Sequence, residues 1–180
     1  MRHLVTLAFA AMFAISGTAL AAGGGGTTTT SPTTLKCKKG DVVKEIVKNG
    51  TKKKICVKAT SGVLPDEELY QQGRLLAKQG QYDWALQVFG IIQNQNDPRV
   101  LNYQGYSNRK AGRLELGISY YRKALAINPN FVLAREYLGE GYVAAGRTDL
   151  AKAQLAEIEK RCGTTCEEYK DLSEAIAGAH

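Results

Sequence analysis

The chain has 180 residues and a formal net charge of +7, with 24 lysine and arginine residues against 17 aspartate and glutamate residues. This length is sufficient for one compact domain and a small appendage. The sequence has two histidines, no candidate Ser/His/Asp set, no Walker loop and no G-x-S-x-G motif, which excludes the common catalytic constellations. We therefore expect a protein that is not an enzyme and that needs no cofactor or metal ion.

Residues 1–21 have the layout of a secretory signal peptide. The basic residue Arg2 precedes an apolar run over residues 4–15, which is followed by the small residues GTALAA. Ala19 and Ala21 fill the two small-residue positions before a cleavage site. An uncleaved anchor is the alternative, but the apolar run is short for a membrane span, which needs about 20 residues. The sequence predicts export, to a bacterial periplasm or to the medium, with cleavage after Ala21.

Residues 22–34, AGGGGTTTTSPTT, form a low-complexity stretch. They include no residue type that builds a hydrophobic core. This composition is typical of a flexible linker, so we expect the folded part of the chain to begin near residue 35.

A β-hairpin is predicted over residues 35–59. The dipeptide Asn49-Gly50 lies between two runs rich in valine, isoleucine and lysine, and it is a strong signal for a two-residue turn. In that register Glu45 faces Lys54, which makes a cross-strand pair of opposite charge. Two strands alone are marginal in water, so the hairpin needs a further stabilising element.

The four cysteines are expected to form disulfide bonds. Export places them in an oxidising compartment, where an even number of cysteines favours disulfides over free thiols. Three pairings are possible, and proximity along the chain favours Cys37 with Cys56 and Cys162 with Cys166. A C-x3-C pair can also be a redox dithiol or a copper ligand, but no thioredoxin-like βαβ pattern surrounds it. A structural disulfide is the favoured interpretation, and a redox or accessory role for Cys162 and Cys166 is an alternative.

The positive charge of the chain is concentrated in the hairpin. Residues 35–58 contain nine lysines against two acidic residues, a net of +7, whereas residues 59–180 carry a net of −1. Residues 60–65 are predicted to be a second linker, which would make the hairpin a separable unit. As an alternative function, the hairpin would hold an anionic lipid or polysaccharide of the cell envelope. The lysines expected to make this contact are Lys44, Lys48, Lys52, Lys53 and Lys54.

From residue 66 onward the chain repeats itself, with a spacing of 32 and then 34 residues. The aligned segments are LYQQGRLLAKQGQYDWALQVF from residue 69, LNYQGYSNRKAGRLELGISYY from residue 101 and REYLGEGYVAAGRTDLAKAQL from residue 135. A period of this size indicates a repeat architecture. The positions in register are two sets of glycines, a small residue and a large residue, namely Gly73, Gly105 and Gly139; Gly80, Gly112 and Gly146; Ala85, Gly117 and Ala151; and Phe89, Tyr121 and Leu155.

These positions resemble the tetratricopeptide repeat, a 34-residue helix–turn–helix unit. The segment KALAINPN, residues 123–130, is typical of the end of such a unit. The resemblance implies an all-α fold, preceded by the disulfide-linked hairpin, in which three units stack over residues 66–97, 98–131 and 132–165. A stack of this kind needs a cap at its end, and residues 166–180 are predicted to form a capping helix and tail.

Three glycines and one capping motif predict local features of the helices. Gly73, Gly105 and Gly139 should let the paired helices approach closely, because a side chain at these positions would separate them. Thr165 lies three residues before Glu168, which is the spacing of a capping box at the start of the capping helix.

In tetratricopeptide repeats the first helix of each unit lines a concave groove that binds peptides. By register, the resemblance places residues from all three units of this chain in that groove. They are Tyr70, Arg74 and Lys78 from the first unit, Asn102, Tyr106, Arg109 and Lys110 from the second, and Glu136, Glu140 and Val143 from the third. Such a groove would be basic and aromatic at one end and acidic at the other, and arginine and tyrosine concentrate binding energy at interfaces. A solvated helix face with scattered charges is the alternative.

The sequence as a whole predicts an exported adaptor that binds another protein or peptide through this groove. It is similar in this respect to the small secreted repeat proteins of Gram-negative bacteria. The pattern does not reproduce the family's carboxylate clamp for chaperone tails, where lysine and asparagine would be expected, so that ligand is not expected. No nucleic acid partner is expected either.

Overall fold

The computed structural model describes residues 35–178. The predicted signal peptide over residues 1–21, the linker over residues 22–34 and the last two residues of the tail lie outside this part. Within it, a two-stranded hairpin precedes seven α-helices. The elements are β1 (Asp41–Lys48), β2 (Thr51–Lys58), α1 (Asp66–Lys78), α2 (Tyr82–Gly90), α3 (Pro98–Lys110), α4 (Leu114–Ile127), α5 (Val132–Ala144), α6 (Thr148–Cys162) and α7 (Glu167–Ala177). Between residues 35 and 178, no helix has both the length and the apolar character needed to cross a membrane.

The hairpin turns at the two residues that the sequence predicted. Asn49 and Gly50 have φ angles of 52° and 74°, and a two-residue hairpin turn of this kind requires positive φ at both positions. Glu45 lies opposite Lys54, as expected from the register. However, the carboxylate of Glu45 forms its ion pair with Nζ of Lys52, at 3.0 Å. The diagonal neighbour on the same face of the hairpin therefore supplies the opposite charge.

One side of the hairpin packs against the first two helices. Val42 is 2% exposed and lies in the same hydrophobic cluster as Trp84. The indole Nε1 of Trp84 donates a hydrogen bond of 3.1 Å to the backbone oxygen of Asp41. Leu64, within the predicted linker over residues 60–65, is buried in the same cluster. The prediction that the hairpin is separable is therefore wrong, because two strands bury too little surface alone and this hairpin shares the core of the first unit.

The helices confirm the predicted arrangement of three helix–turn–helix units, with α1 and α2, α3 and α4, and α5 and α6 as the pairs. Each pair turns at a glycine with positive φ, at 79° for Gly80, 83° for Gly112 and 70° for Gly146. These angles would strain a residue that carries a side chain. The second unit begins with a capped helix, because the Asp97 side chain accepts a hydrogen bond of 2.8 Å from the backbone N–H of Arg99.

In the first two units, a glycine on the first helix lets an aromatic ring of the second helix press against it. A Cβ atom on Gly73 would lie 2.5 Å from the Phe89 ring, and one on Gly105 would lie 2.6 Å from the Tyr121 ring. Neither distance is possible for a real side chain. The predicted close approach is therefore confirmed for these two units.

In the third unit, the glycine of the first helix packs against a different helix. A Cβ atom on Gly139 would collide with Leu172, which belongs to α7. Leu155, the residue of α6 in register with the aromatic rings, is only partly buried, whereas Leu172 is fully buried. The capping helix thus completes the third unit by filling the space above its glycine.

The start of the capping helix corrects a sequence prediction. α7 begins at Glu167, and Cys166 is the N-cap residue without a side-chain hydrogen bond. The predicted capping box between Thr165 and Glu168 is therefore wrong. The backbone enters α7 directly after the disulfide that joins Cys166 to Cys162, which orders this turn covalently.

Candidate functional site

The predicted groove residues lie on the first helices of the three pairs, α1, α3 and α5, which contact one another along the stack. We call the side of the molecule that they form the groove face. Its residues assigned from sequence are Tyr70, Arg74, Lys78, Asn102, Tyr106, Arg109, Lys110, Glu136, Glu140 and Val143. Their exposure differs: Arg74, Lys78 and Lys110 are exposed, whereas Tyr70 and Glu136 are buried.

Four tyrosines form a continuous row along the groove face. The ring centroids are 6.0 Å apart for Tyr70 and Tyr103, 5.9 Å for Tyr103 and Tyr106, and 5.3 Å for Tyr106 and Tyr137. These distances suit favourable aromatic pairs. Burial raises the pKa of Tyr70 to about 12, so its hydroxyl keeps its proton. Sequence reasoning missed Tyr103 and Tyr137, although each follows an assigned groove residue directly in the chain.

Cationic side chains lie over this row. Nζ of Lys78 is 4.9 Å from the ring centroid of Tyr106 and donates a hydrogen bond of 2.9 Å to the hydroxyl of Tyr137. Nζ of Lys110 and the guanidinium carbon of Arg109 are 5.9 Å and 6.0 Å from the same Tyr106 centroid. Contacts of this type contribute about 0.5–1 kcal/mol each at exposed sites. The structure therefore brings residues from all three units together around one aromatic ring.

Arg109 and Glu140 are paired with each other. The guanidinium of Arg109 forms an ion pair with the Glu140 carboxylate, and its Nε donates a hydrogen bond of 3.2 Å to the hydroxyl of Tyr121. The Arg109 side chain is 9% exposed. Burial opposes the charge of the guanidinium, but Tyr121 and Glu140 outweigh it, and the pKa of Arg109 is raised. Arg109 therefore links α3, α4 and α5, and it is not the open ligand contact that the register predicted.

Two buried polar side chains of the groove face have no partner among residues 35–178. Asn102 is fully buried, and neither its carboxamide oxygen nor its nitrogen is hydrogen-bonded. Glu136, at the equivalent position of the next unit, is 5% exposed and makes no side-chain hydrogen bond or ion pair. Burial and the charges of nearby acidic groups raise the pKa of Glu136 to about 8, against an opposing effect of Lys78. Buried polar groups are normally paired, and Oε1 of Gln104 and Oγ of Ser107 on α3 are likewise buried without a partner among residues 35–178.

The capping helix adds acidic residues that sequence reasoning did not assign to the groove. Glu168 and Asp171 of α7 lie close enough to Glu136 for their charges, together with that of Glu140, to raise its pKa. Glu168 and Asp171 are three residues apart and so share one helical face. The repeat spacing of 34 residues maps Glu136 onto Lys170, so register alone would not have assigned Glu168 or Asp171 to the groove.

The hairpin lysines do not share a face. Successive side chains of a strand point to opposite sides of the sheet. One side holds Lys44, Lys48 and Lys53, and the other holds Lys52 and Lys54. The first side also carries the buried Val42, and on the second side Lys52 forms an ion pair with Glu45. The structure thus divides the five lysines between two faces, and their contact with an anionic surface stays a prediction.

Both predicted cysteine pairs are joined as disulfides. The Cα–Cα distances are 5.6 Å for Cys37 and Cys56 and 6.0 Å for Cys162 and Cys166, within the usual range. In the part of the chain that the structure describes, one group of potential metal ligands occurs, formed by Cys162, Cys166 and Glu168. Its two sulfurs are bonded to each other and do not act as thiolate ligands in this form.

The comparisons with known proteins agree with this geometry. The tetratricopeptide repeat family model matches residues 98–131, the second unit. The solved structures that are similar include the TPR2B domain of yeast Sti1 in complex with pHsp70, with a TM-score of 0.58 at 16% identity over 63% of this chain and 94% of that chain. They also include the Yersinia enterocolitica type III secretion translocator chaperone SycD, with a TM-score of 0.56 at 18% identity over 63% of this chain and 81% of that chain.

The same Yersinia chaperone in an alternative dimer gives a TM-score of 0.55 at 20% identity, over 63% of this chain and 87% of that chain. The first TPR domain of human RPAP3 is similar too, with a TM-score of 0.55 at 19% identity over 63% of this chain and 94% of that chain. A comparison with curated protein sequences finds no match. Residues 98–131 thus match the tetratricopeptide repeat, and the helical part of the chain has the fold of tetratricopeptide-repeat domains.

Proposed function

We propose that the protein is an adaptor that binds an extended segment of another protein along the groove face. The observation that carries this proposal is the cluster around Tyr106, where the exposed cations Lys78 and Lys110 lie over the tyrosine row. Large aromatic side chains give contact area at low entropic cost, and tyrosine is among the residues that dominate binding energy at interfaces. Glu136 beside this row, which is 5% exposed and has no partner among residues 35–178, adds a polar group that a ligand could satisfy.

The structural relatives support a protein ligand by analogy. The yeast Sti1 domain is in complex with pHsp70, and the Yersinia protein is a translocator chaperone. At identities below 25% the likeness extends to the fold alone, so the ligand has to be argued from the groove face of this chain. That face offers cations and aromatic rings without a catalytic set, which favours binding over enzymatic chemistry.

We further propose that the adaptor acts after export, in an oxidising compartment such as a bacterial periplasm. The signal-peptide layout of residues 1–21 supports export. The two disulfides support an oxidising compartment, since reducing compartments keep most thiols free. Cell fractionation of the producing bacterium tests this: the processed chain should be recovered with periplasmic markers, and recovery with cytoplasmic markers would contradict the proposal.

Charge reversal on the groove face tests the adaptor function. Arg74 and Lys78 are exposed on α1 and one helical turn apart, so Arg74→Glu combined with Lys78→Glu should reverse the local charge, with the loss of the Lys78 hydrogen bond to Tyr137. Proteins captured from an envelope extract by the wild-type chain should be lost with this double variant. Capture is compared by quantitative mass spectrometry, and helical circular dichroism reports on the fold.

The matched control is a charge reversal away from the groove face. Arg122 is exposed on α4, the second helix of its pair, and Arg122→Glu should leave the captured proteins unchanged. Equal loss of capture from the control and from the double variant would show that the groove face is not the binding surface.

A further inference from the structure

We infer that the groove face accepts a cationic side chain of the partner, a lysine or an arginine, which forms an ion pair with Glu136. The inference rests on the proposed function, because it names the chemistry that the same face selects. It starts from the one carboxyl group of the groove face that is nearly buried and has no partner among residues 35–178.

Glu136 is in an unfavourable position for an isolated chain. An unpaired carboxylate in a buried position loses most of its hydration, and such a group normally becomes protonated or finds a partner. The neighbouring Glu140 is in contact with Arg109, so its charge is matched within the chain. Glu136 lacks a matched cation of this kind. Its oxygens are nevertheless not completely enclosed, because the residue retains 5% exposure.

Two cations of the groove face, Lys78 and Arg109, already have partners other than Glu136. Lys78 donates its hydrogen bond to the Tyr137 hydroxyl at 2.9 Å, and Arg109 contacts Glu140 and Tyr121. Neither forms an ion pair with Glu136.

The surroundings of Glu136 are therefore acidic. Glu140 from α5 itself and Glu168 and Asp171 from α7 act on it with negative charge, and Lys78 from α1 is the opposing cation. A positive group that arrives from a partner meets an attractive potential at this end of the groove face.

A lysine or arginine side chain fits this position better than a metal ion. The described residues hold one group of three potential metal ligands, and Glu136 is not part of it, whereas a divalent cation needs several ligands at fixed distances. A long aliphatic stem can carry a single charge to a nearly buried carboxylate. The adjacent row of tyrosines offers apolar contacts for that stem and ring faces for its charge.

The experiment uses a random peptide library displayed on phage and selected on the full chain with both disulfides formed. The selections are repeated on Glu136→Gln, which keeps the shape of the side chain but cannot ionise. Glu159→Gln is the matched control, because Glu159 is an exposed glutamate of α6. Thermal unfolding of each variant confirms that it is folded. Peptides selected on the wild type and on the control should be enriched in lysine or arginine, and peptides selected on Glu136→Gln should not.

A double-mutant cycle then tests the ion pair itself. In one selected peptide, the basic residue is replaced by norleucine, which keeps the stem and removes the charge. On the wild type this replacement should weaken binding by about tenfold, and on Glu136→Gln it should have little effect.

The outcomes separate the two proposals. Peptides that bind the groove face without enrichment in basic residues, or whose basic residue is equally important with Glu136→Gln, would overturn the inference and leave the adaptor function standing. Groove binding is recognised by a change of affinity, in either direction, in the Arg74→Glu and Lys78→Glu double variant. If no selected peptide changes its affinity in that variant, the adaptor function itself is contradicted.

Discussion

The side chain of Gln72 forms hydrogen bonds with both backbone groups of Val43. Its Nε2 donates to the Val43 carbonyl at 2.7 Å, and its Oε1 accepts from the Val43 N–H at 2.8 Å. A neighbouring strand would satisfy the same two groups in the same way. One glutamine of α1 thus occupies the outer edge of β1 and ties the hairpin to the helical domain.

We predict that Gln72→Ala lowers the free energy of unfolding by about 1–2 kcal/mol, because two partly buried hydrogen bonds are lost. Urea unfolding measures the change. Gln71→Ala is the control, since the Gln71 side chain is exposed and bonds only to side chains of its own helix. Equal stability of Gln72→Ala and the wild type would show that these two hydrogen bonds contribute nothing to the attachment of the hairpin.

The ion pair between Arg109 and Glu140 is expected to be structural. Arg109→Gln leaves Glu140 without its partner and removes the hydrogen bond to Tyr121, so the free energy of unfolding should fall by about 3–5 kcal/mol. Arg147→Gln breaks the exposed pair with Glu115 and should cost no more than about 1 kcal/mol. A similar cost for both variants in urea unfolding would contradict the structural role of Arg109.

Glu136 should make stability depend on pH. Its pKa is raised from 4.5 to about 8 on folding, so the folded state keeps a proton that the unfolded state loses. The contribution of Glu136 to stability is therefore fully present below about pH 4.5 and is lost as the pH rises through about 8. The charged groups around it are Glu140, Glu168, Asp171 and Lys78, and they are unchanged in a Glu136→Gln variant.

Relative to the wild type, Glu136→Gln should gain about 1–3 kcal/mol between about pH 5 and pH 8, because glutamine cannot ionise. Urea unfolding at both pH values gives the difference. Glu159→Gln, which changes an exposed glutamate, should follow the wild type. A stability difference between Glu136→Gln and the wild type that does not change with pH would show that Glu136 does not titrate in this window.

Leu172 should anchor the capping helix. It is fully buried and fills the space above Gly139, so Leu172→Ala should cost about 2–5 kcal/mol. Hydrogen exchange should show the loss of protection first in α7 and α5. Leu150→Ala is the control, because Leu150 is 46% exposed, and it should be nearly neutral. Unchanged protection of α7 in Leu172→Ala would contradict the anchoring role.

Both disulfides should be present in the native protein, and they should differ in their effect. The bond between Cys37 and Cys56 closes a longer loop than the bond between Cys162 and Cys166, so its removal should cost about 3 kcal/mol against about 2 kcal/mol. Replacement of each pair by serine, followed by urea unfolding, measures both values. A thiol assay and peptide mapping without reduction check the pairing, and reactive thiols in the native protein would favour the redox alternative.

The sequence by itself determined those features that depend on residues close together in the chain. Asn49-Gly50 placed the hairpin turn, because few other residue pairs adopt positive φ twice in succession. The repeated glycines placed the turns within the three units for the same conformational reason. Proximity was also sufficient to predict the two disulfides, since each joins cysteines of one local segment.

Only the tertiary structure decided which side chains from different units meet. The register assigned Arg109, Glu136 and Glu140 equally to the groove face, but packing left the buried Glu136 without an ion-pair partner and joined Arg109 to Glu140. It also set Leu172 over Gly139 and the hairpin on α1, where sequence spacing suggested a separable unit. The physical reason is that a helical period specifies which face of its own helix a residue occupies, whereas its burial and its partners depend on the distance and rotation of neighbouring helices.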